Sequence, residues 1–332
     1  MLRLSTFFFE CDAHSAQLAT ARGLASNYGK VQRMLRINNV ELRESPLEYQ
    51  ANLQSLWRSL DAAEVILHEA SDRYPILHTP GRTFGRLARA IKRPIRLAIL
   101  GESNSGKTSL ANLIVGGVTL PAPPIANTRL PTLLQYAQVP FVRALYAGGT
   151  RLALSPADDV RLENIIRLEV GLPSQTLRWL EILDFPGGAN PLFPTVTPSM
   201  LQHGTDSAIW TTVATQAWRS SEQLAWMELP PRIRSRGLLA VTHCDLIARE
   251  EDFKRLNARL ETAAKPHFWG MFFVGAQGGH IAGLGDRLGA SGLFCQIEQL
   301  AKLFLADRLE KAVTIARHIA GQTLDKLGLA TD

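Results

Sequence analysis

Gly101-Glu102-Ser103-Asn104-Ser105-Gly106-Lys107-Thr108 fits the pattern G-x-x-x-x-G-K-[ST], and its reading decides the fold. An apolar run, Arg96-Leu97-Ala98-Ile99-Leu100, precedes it, and a helical pattern from Ser109 to Val115 follows. Strand, loop and helix in that order are the context in which this motif cradles phosphate. The glycines let backbone N–H groups converge on phosphate oxygens, and the helix turns its positive end toward the same anion. The expected nucleotide-binding set here is Gly101, Glu102, Ser103, Asn104, Ser105, Gly106, Lys107, Thr108 and Ser109. Lys107 is expected to reach the outer phosphates and the Thr108 hydroxyl to hold Mg²⁺.

Three further elements lie downstream. Thr128 sits in Asn127-Thr128-Arg129-Leu130-Pro131-Thr132, after a Pro- and Gly-rich loop from Gly116 to Asn127. Asp184-Phe185-Pro186-Gly187 ends the strand-like run Leu177 to Leu183, and Thr242-His243-Cys244-Asp245 ends another, Gly237 to Val241. A hydroxyl on a mobile loop can ligate Mg²⁺ when a γ-phosphate is present, and an Asp at a strand end can hold the metal's water shell. Thr108, Thr128 and Asp184 are therefore the expected metal set. Gly187 can offer its N–H to the γ-phosphate. Asp245 can accept from both N–H donors of guanine, or else merely cap the next helix. Ala276, after Phe273-Val274-Gly275, can offer its N–H to the base.

Together these residues resemble the dynamin-like branch of the GTPases. The carriers are the P-loop with Lys107 and Thr108, Thr-Arg-x-Pro-Thr at Thr128 to Thr132, Asp-x-Pro-Gly at Asp184 to Gly187, and Thr-x-x-Asp at Thr242 to Asp245. Ala214-Thr215-Gln216-Ala217-Trp218 also looks like that family's loop, and the resemblance covers roughly residues 95–280. It implies Mg²⁺-dependent hydrolysis of the GTP β–γ bond, with Lys107, Thr128 and Asn104 in catalytic roles and activation by a homodimer formed through the G domains. Two departures stand out. His243 replaces the usual Lys, so an imidazole, rather than an aliphatic stem, is available to the base. Gly188 stands where Ras-type enzymes carry a water-orienting Gln. In related cation-dependent enzymes an Asn at the place of Asn104 helps hold K⁺; otherwise Asn104 only braces the loop. The charge-assisted pair from Asp245 to guanine is worth about 1.5–3 kcal/mol, which favours GTP over ATP. The competing readings are a nucleotide-gated switch or scaffold with negligible turnover, and an ATP-using P-loop enzyme.

The chain has 332 residues, 46% hydrophobic and 20% charged, enough for a full core. A net charge of +6 is too weak to argue for nucleic acid, and none is expected as a partner. The basic residues cluster, however: Arg73, Arg82, Arg86, Arg89, Lys92, Arg93 and Arg96 fall in a stretch without Asp or Glu. This region, 73–96, is either a solvated face or a contact for acidic headgroups or an acidic protein. Three widely spaced cysteines, Cys11, Cys244 and Cys295, show no zinc spacing. With no uninterrupted apolar stretch of spanning length, the expectation is a soluble, cytoplasmic protein.

The expected fold class is α/β, a P-loop NTPase fold with a mostly parallel sheet, helices on both faces and flanking N- and C-terminal helices. The expected domains are an N-terminal helical region over 1–94, a G domain over 95–290 and a C-terminal amphipathic helix over 291–332. Leu47 to Asp72 reads as a helix, with Leu53, Leu56, Leu60, Ala63, Ile66 and Leu67 at spacings of three and four. A short basic helix runs to about Ile91, and Leu154 to Leu168 reads as a further helix. Ala16 to Leu35 is also read as helical, and Gly278 to Gly292 as a loop. From Leu293 to Leu327 an apolar stripe (Ile297, Leu300, Phe304, Ala312, Ile315, Ile319, Leu324) needs a partner, either the Leu47–Asp72 helix or the flank of the sheet. No stalk is expected after Leu327, so membrane remodelling is not expected.

Overall fold

The computed structural model describes residues 46–72, 75–116, 130–154, 164–186, 204–275 and 290–326. Two compact units divide the chain: Pro94–Ala301, and Met1–Arg93 together with Lys302–Asp332.

The larger unit is built on a sheet of nine strands among the described residues. These are β1 (Ile95–Gly101), β2 (Thr132–Tyr136), β3 (Phe141–Tyr146), β4 (Arg151–Ala153), β5 (Ile165–Leu172), β6 (Leu180–Asp184), β7 (Ser207–Val213), β8 (Leu238–Thr242) and β9 (Gly270–Phe273). Their order is β4-β3-β5-β2-β6-β1-β7-β8-β9. From β6 through β1, β7 and β8 to β9 every neighbour is parallel. This is the mostly parallel α/β sheet expected of the chain. The central strands are apolar on both faces: Leu97, Ala98, Ile99 and Leu100 are all buried, as a strand covered by helices requires. Helix α3 (Lys107–Ile114) follows β1 directly. Helices α4 (Ser220–Met227), α5 (Pro231–Arg234) and α6 (Glu250–Ala263) connect β7 to β9. A core of Trp210, Trp218, Trp226, Phe253 and Phe268 forms here, with the Trp210 and Trp226 rings edge-on at 6.1 Å.

The other edge was not legible as strand. β2 runs antiparallel to β6, β5 is parallel to β2, and β3 and β4 add an antiparallel hairpin beyond. Gly148 and Gly149 close that hairpin with left-handed φ of 97° and 91°. Residues 165–168, read from sequence as the end of a helix, belong to β5. The apolar spacing fits either period, but Ile165, Ile166 and Val170 are β-branched, and pairing to β2 on one side and β3 on the other decides the outcome. Residues 155–163 lie outside the described residues, as does the helical reading of Ala16 to Leu35.

On this wing Glu169 is 1% exposed and accepts hydrogen bonds from Arg143, Arg151 and Arg167. Burial alone would raise its carboxyl, but the three guanidinium donors outweigh that and hold it at about 2, below an ordinary 4.5. A depressed carboxylate contributes stability above its unfolded pKa and loses it as pH falls through the folded value. Stability should therefore decline between about pH 4.5 and 2 by on the order of 3 kcal/mol from this group. Denaturant titrations of Glu169→Gln should show a flatter profile over that window. An unchanged slope would mean the network contributes nothing.

In the smaller unit, α1 (Pro46–Ser71) and α2 (His78–Lys92) form an antiparallel hairpin. Trp57 receives Lys92 over its ring at 4.5 Å, and Glu64 lies 3.6 Å from Arg89. Gly81 allows the close crossing, since a Cβ there would sit 3.2 Å from the Leu67 Cβ. Leu60, Ala63, Leu67, Phe84, Ala88 and Ile91 are buried, while Arg82, Arg86, Arg89 and Lys92 are exposed. The helix packed along α1 is thus α2.

Helix α7 (Ala290–Lys326) begins in the larger unit and is assigned to the smaller one from Lys302 onward. It starts two residues before the loop was expected to end. Its buried positions are Leu293, Ile297, Leu300, Ala301, Leu305, Ala312, Val313 and Ala316, whereas Ile315 is 42% exposed. The real stripe drifts by one residue from the one read in sequence, at Phe304 and at Ile315, because 3.6 residues per turn does not keep step with alternating threes and fours.

Candidate functional site

The described motif residues that follow β1, β6 and β8 lie at the carboxyl ends of these parallel strands, where α/β sheets bind ligands. The loop after β1 needs special backbone: Gly101 and Gly106 have φ of 144° and 81°, and Asn104 has φ of 60°. At Gly101 a Cβ would collide with the Thr211 side chain and carbonyl, so only glycine fits. No side chain caps α3, and the N–H groups of Lys107, Thr108 and Ser109 have no acceptor within the helix. Ser103 and Asn104 are exposed at the crest of the loop.

Hydroxyls from two neighbouring strands hold this loop in place. Ser105 Oγ lies 2.5 Å from Thr211 Oγ1, and Thr211 donates to the Leu100 carbonyl at 2.9 Å. Thr242 on β8 donates to the Ser105 carbonyl at 2.8 Å. Lys107 is buried and donates to the Glu102 carbonyl at 2.5 Å. Desolvation lowers its pKa, with the charges of Asp184 and Glu102 opposing that shift.

Thr108 and Asp184, 76 residues apart in sequence, meet with Thr108 Oγ1 donating to Asp184 Oδ2 at 3.0 Å. Burial pushes the Asp184 carboxyl up to about 6, against the hydrogen bond from Thr108 and the charge of Lys107. Its other oxygen, Oδ1, is buried and has no hydrogen-bond partner. A buried carboxylate oxygen without a donor, beside an exposed hydroxyl, is a donor set suited to a hard divalent cation such as Mg²⁺.

At the end of β8, His243 takes a left-handed φ of 56° and its Nδ1 lies 3.0 Å from Thr242 Oγ1. The ring stands beside the P-loop, with its Cε1 3.4 Å from where a Cβ on Gly106 would lie. Asp245 is exposed in the turn that follows, and a Cβ on Gly275 would lie 3.4 Å from its Oδ1. The end of β9 is therefore brought to the same corner as Asp245. Cys244 is inert here: burial pushes its thiol up to about 12. Thr128, Gly187 and Ala276 lie outside the described residues, as does Gly188.

One set of contacts escaped the sequence reading. Glu102, the second residue of the P-loop, pairs with Arg219 and accepts from Ser221 Oγ at 3.0 Å. Arg219 also donates to Gln216 Oε1 at 2.7 Å, and its backbone N–H donates to Glu222, which Thr212 also contacts at 2.9 Å. The segment 214–222 is thereby joined to the phosphate loop. The signal was a Glu at a variable motif position and an Arg at the start of α4, neither of which announces a pairing 117 residues away.

The arrangement has the fold of a P-loop GTPase. No family model matches the chain. It is similar to Dynamin-like protein 2 of Campylobacter jejuni, 26% identical over 175 residues, which covers 50% of this chain and 28% of that protein. It is also similar to the isoniazid-induced protein IniC of Mycobacterium tuberculosis, 30% identical over 142 residues, covering 38% of this chain and 29% of the other. Among solved structures, a chain of an oligomerised bacterial dynamin pair superposes with a TM-score of 0.50 at 22% identity, over 72% of this chain and 39% of that one. The matches span less than a third of these curated relatives' own length. The resemblance to dynamin-like proteins carried by the motifs is thus found again in sequence relatives and in the fold.

Proposed function

We propose that this protein binds and hydrolyses GTP, with Mg²⁺ held by Thr108, Asp184 and Thr128. The observation that carries the reading is the meeting of Lys107 with the Thr108–Asp184 pair and its orphaned carboxylate oxygen at one phosphate loop, which Thr242, three residues before Asp245, also contacts. Lys107 turns from the Glu102 carbonyl to the β- and γ-phosphates, and the N–H groups at the start of α3 receive their oxygens. Mg²⁺ held by Thr108, Asp184 and Thr128 would supply positive charge to offset that of the phosphates. Asp245 selects guanine, with the imidazole of His243 beside the base. Water attacks the γ-phosphorus in line while the bond from that phosphorus to the β–γ bridging oxygen breaks and GDP leaves with the electron pair; the Gly187 N–H senses the γ-phosphate. Gly188 offers no side chain to orient that water, so completion of the site by a second copy, with K⁺ beside Asn104, fits this sequence.

The same glycine favours a second reading, a nucleotide-gated switch with negligible turnover. Turnover of GTP against ATP, in K⁺ and in Na⁺, tests both. GTP binding without K⁺-dependent hydrolysis would favour the switch, and preference for ATP would remove both readings. The exposed arginines of α2 suit an acidic protein or a peripheral membrane contact.

Specificity has its own test. Asp245→Asn should weaken GTP by about 1.5–3 kcal/mol and leave ATP nearly unchanged, because guanine alone presents paired donors to a carboxylate. Calorimetry with both nucleotides measures this. Equal losses would make Asp245 a structural residue.

A further inference from the structure

The charge cluster on the antiparallel wing has no part in the nucleotide site. It stands on β5, β3 and β4, separated from β1 in the sheet by β6 and β2. Register puts Arg143 opposite Glu169 across the β3–β5 pair, and Arg167, two residues before Glu169, projects from the same face. Arg143 Nε donates to Glu169 at 2.6 Å, Arg151 Nε at 3.1 Å, and Arg167 through two nitrogens at 2.8 and 3.3 Å. Arg143 also lies 4.6 Å over the Phe141 ring, which fixes its plane.

One carboxylate neutralises one of these three cations. Among the described residues, Arg143, Arg151 and Arg167 have no other carboxylate partner. Among the described residues the cluster thus carries two positive charges more than its carboxylate offsets, and neighbouring guanidinium groups repel each other. Arg143 and Arg151 each commit only Nε to Glu169 and keep their terminal nitrogens for other acceptors. Their side chains are 34% and 47% exposed, while Glu169 beneath them is 1% exposed. The donors thus converge from a fixed, buried anchor toward solvent. A phosphate monoester carries about −1.5 to −2 near neutral pH and three strong acceptor oxygens. That charge matches the surplus, and planar guanidinium forks pair bidentately with phosphate oxygens.

We propose that Arg143, Arg151 and Arg167, held by Glu169, form a binding site for a phosphate group at the edge of the sheet. The phosphate arrives either free in solution or on a lipid headgroup.

Inorganic phosphate is the first probe, titrated calorimetrically into Lys107→Ala, in which the P-loop lysine cannot be the acceptor. Saturable binding is expected in this parent, weakened at least tenfold when Arg143→Ala and Arg151→Ala are added. Arg143→Lys with Arg151→Lys keeps both charges and guards against misfolding; this pair should bind more weakly than the parent and more tightly than the alanine pair. Circular dichroism checks that every variant is folded. Flotation with phosphatidate vesicles separates the sources, with phosphatidylglycerol vesicles as the diester control. Flotation with phosphatidate alone, lost in the alanine pair, assigns the phosphate to a headgroup; calorimetric binding without flotation assigns it to a soluble molecule. No saturable phosphate binding by the parent, or equal affinity in all three proteins, overturns the site and leaves Glu169 as a brace.

Discussion

Lys107→Ala should give a folded protein that gains no stability from GTP. In the wild type, nucleotide at a hundred times its Kd should add about 2.7 kcal/mol to unfolding, and the mutant should add none. The expectation rests on where the side chain sits. Lys107 is buried, and its Nζ donates to the Glu102 carbonyl and approaches Ser105 Oγ at 3.5 Å. Burial lowers its pKa, so holding the charged form there costs stability. Removing the ammonium group therefore relieves a desolvation cost while deleting the phosphate contact. The thermal midpoint without nucleotide should stay level or rise, and the shift on adding GTP should vanish. A mutant that still gains stability from GTP would end the P-loop assignment. A mutant that fails to fold would show Lys107 to be a structural residue.

Hydrolysis should depend on protein concentration and on K⁺. An isolated copy, with Gly188 unable to position water, should turn over near 10⁻⁴–10⁻² s⁻¹, as switch GTPases do without an activator. Charge supplied at Asn104 in a closed dimer should raise this roughly 10³- to 10⁵-fold, the range of an arginine finger. Asn104 is placed for such a role: it is exposed at the crest of the P-loop and strained into φ of 60°. Specific activity should therefore climb with concentration and fall when Na⁺ replaces K⁺ or when Asn104 becomes Ala. Turnover indifferent to both would leave the slow switch as the better account.

The parallel half of the sheet was legible because each of its strands ends in a motif. β1 runs into the P-loop, β6 into Asp184 and β8 into Asp245, so chemistry marked the strand ends even where the flanking patterns were short. The apolar run Leu177 to Leu183 begins three residues before the strand itself, because Thr176–Arg178 forms a 3₁₀ turn. The wing carries no motif, and its short strands are recognisable only once paired, which is why residues 165–168 read as helix. Placement of Lys107, Thr108, Asp184 and Asp245 followed from spacing and chemistry. The Glu102–Arg219 pair did not, because contacts between residues 117 positions apart leave no periodic trace. α2 as the partner of α1 was hidden for a related reason: the crossing depends on Gly81, whose contribution is the side chain it lacks.

The clamp of Thr211 and Thr242 on Ser105 has a kinetic consequence. These bonds belong to the protein itself, so the shape of the phosphate loop is fixed when β7 and β8 pair, before any ligand arrives. The entropy of ordering the loop is then spent once in folding and does not recur at each encounter. Under the proposed function, nucleotide would leave and be replaced without the loop being remade, and residence time would be set by what grips the phosphates and the base. Loosening the clamp, as in Thr211→Val, would transfer that ordering to the binding step and slow association more than it hastens release.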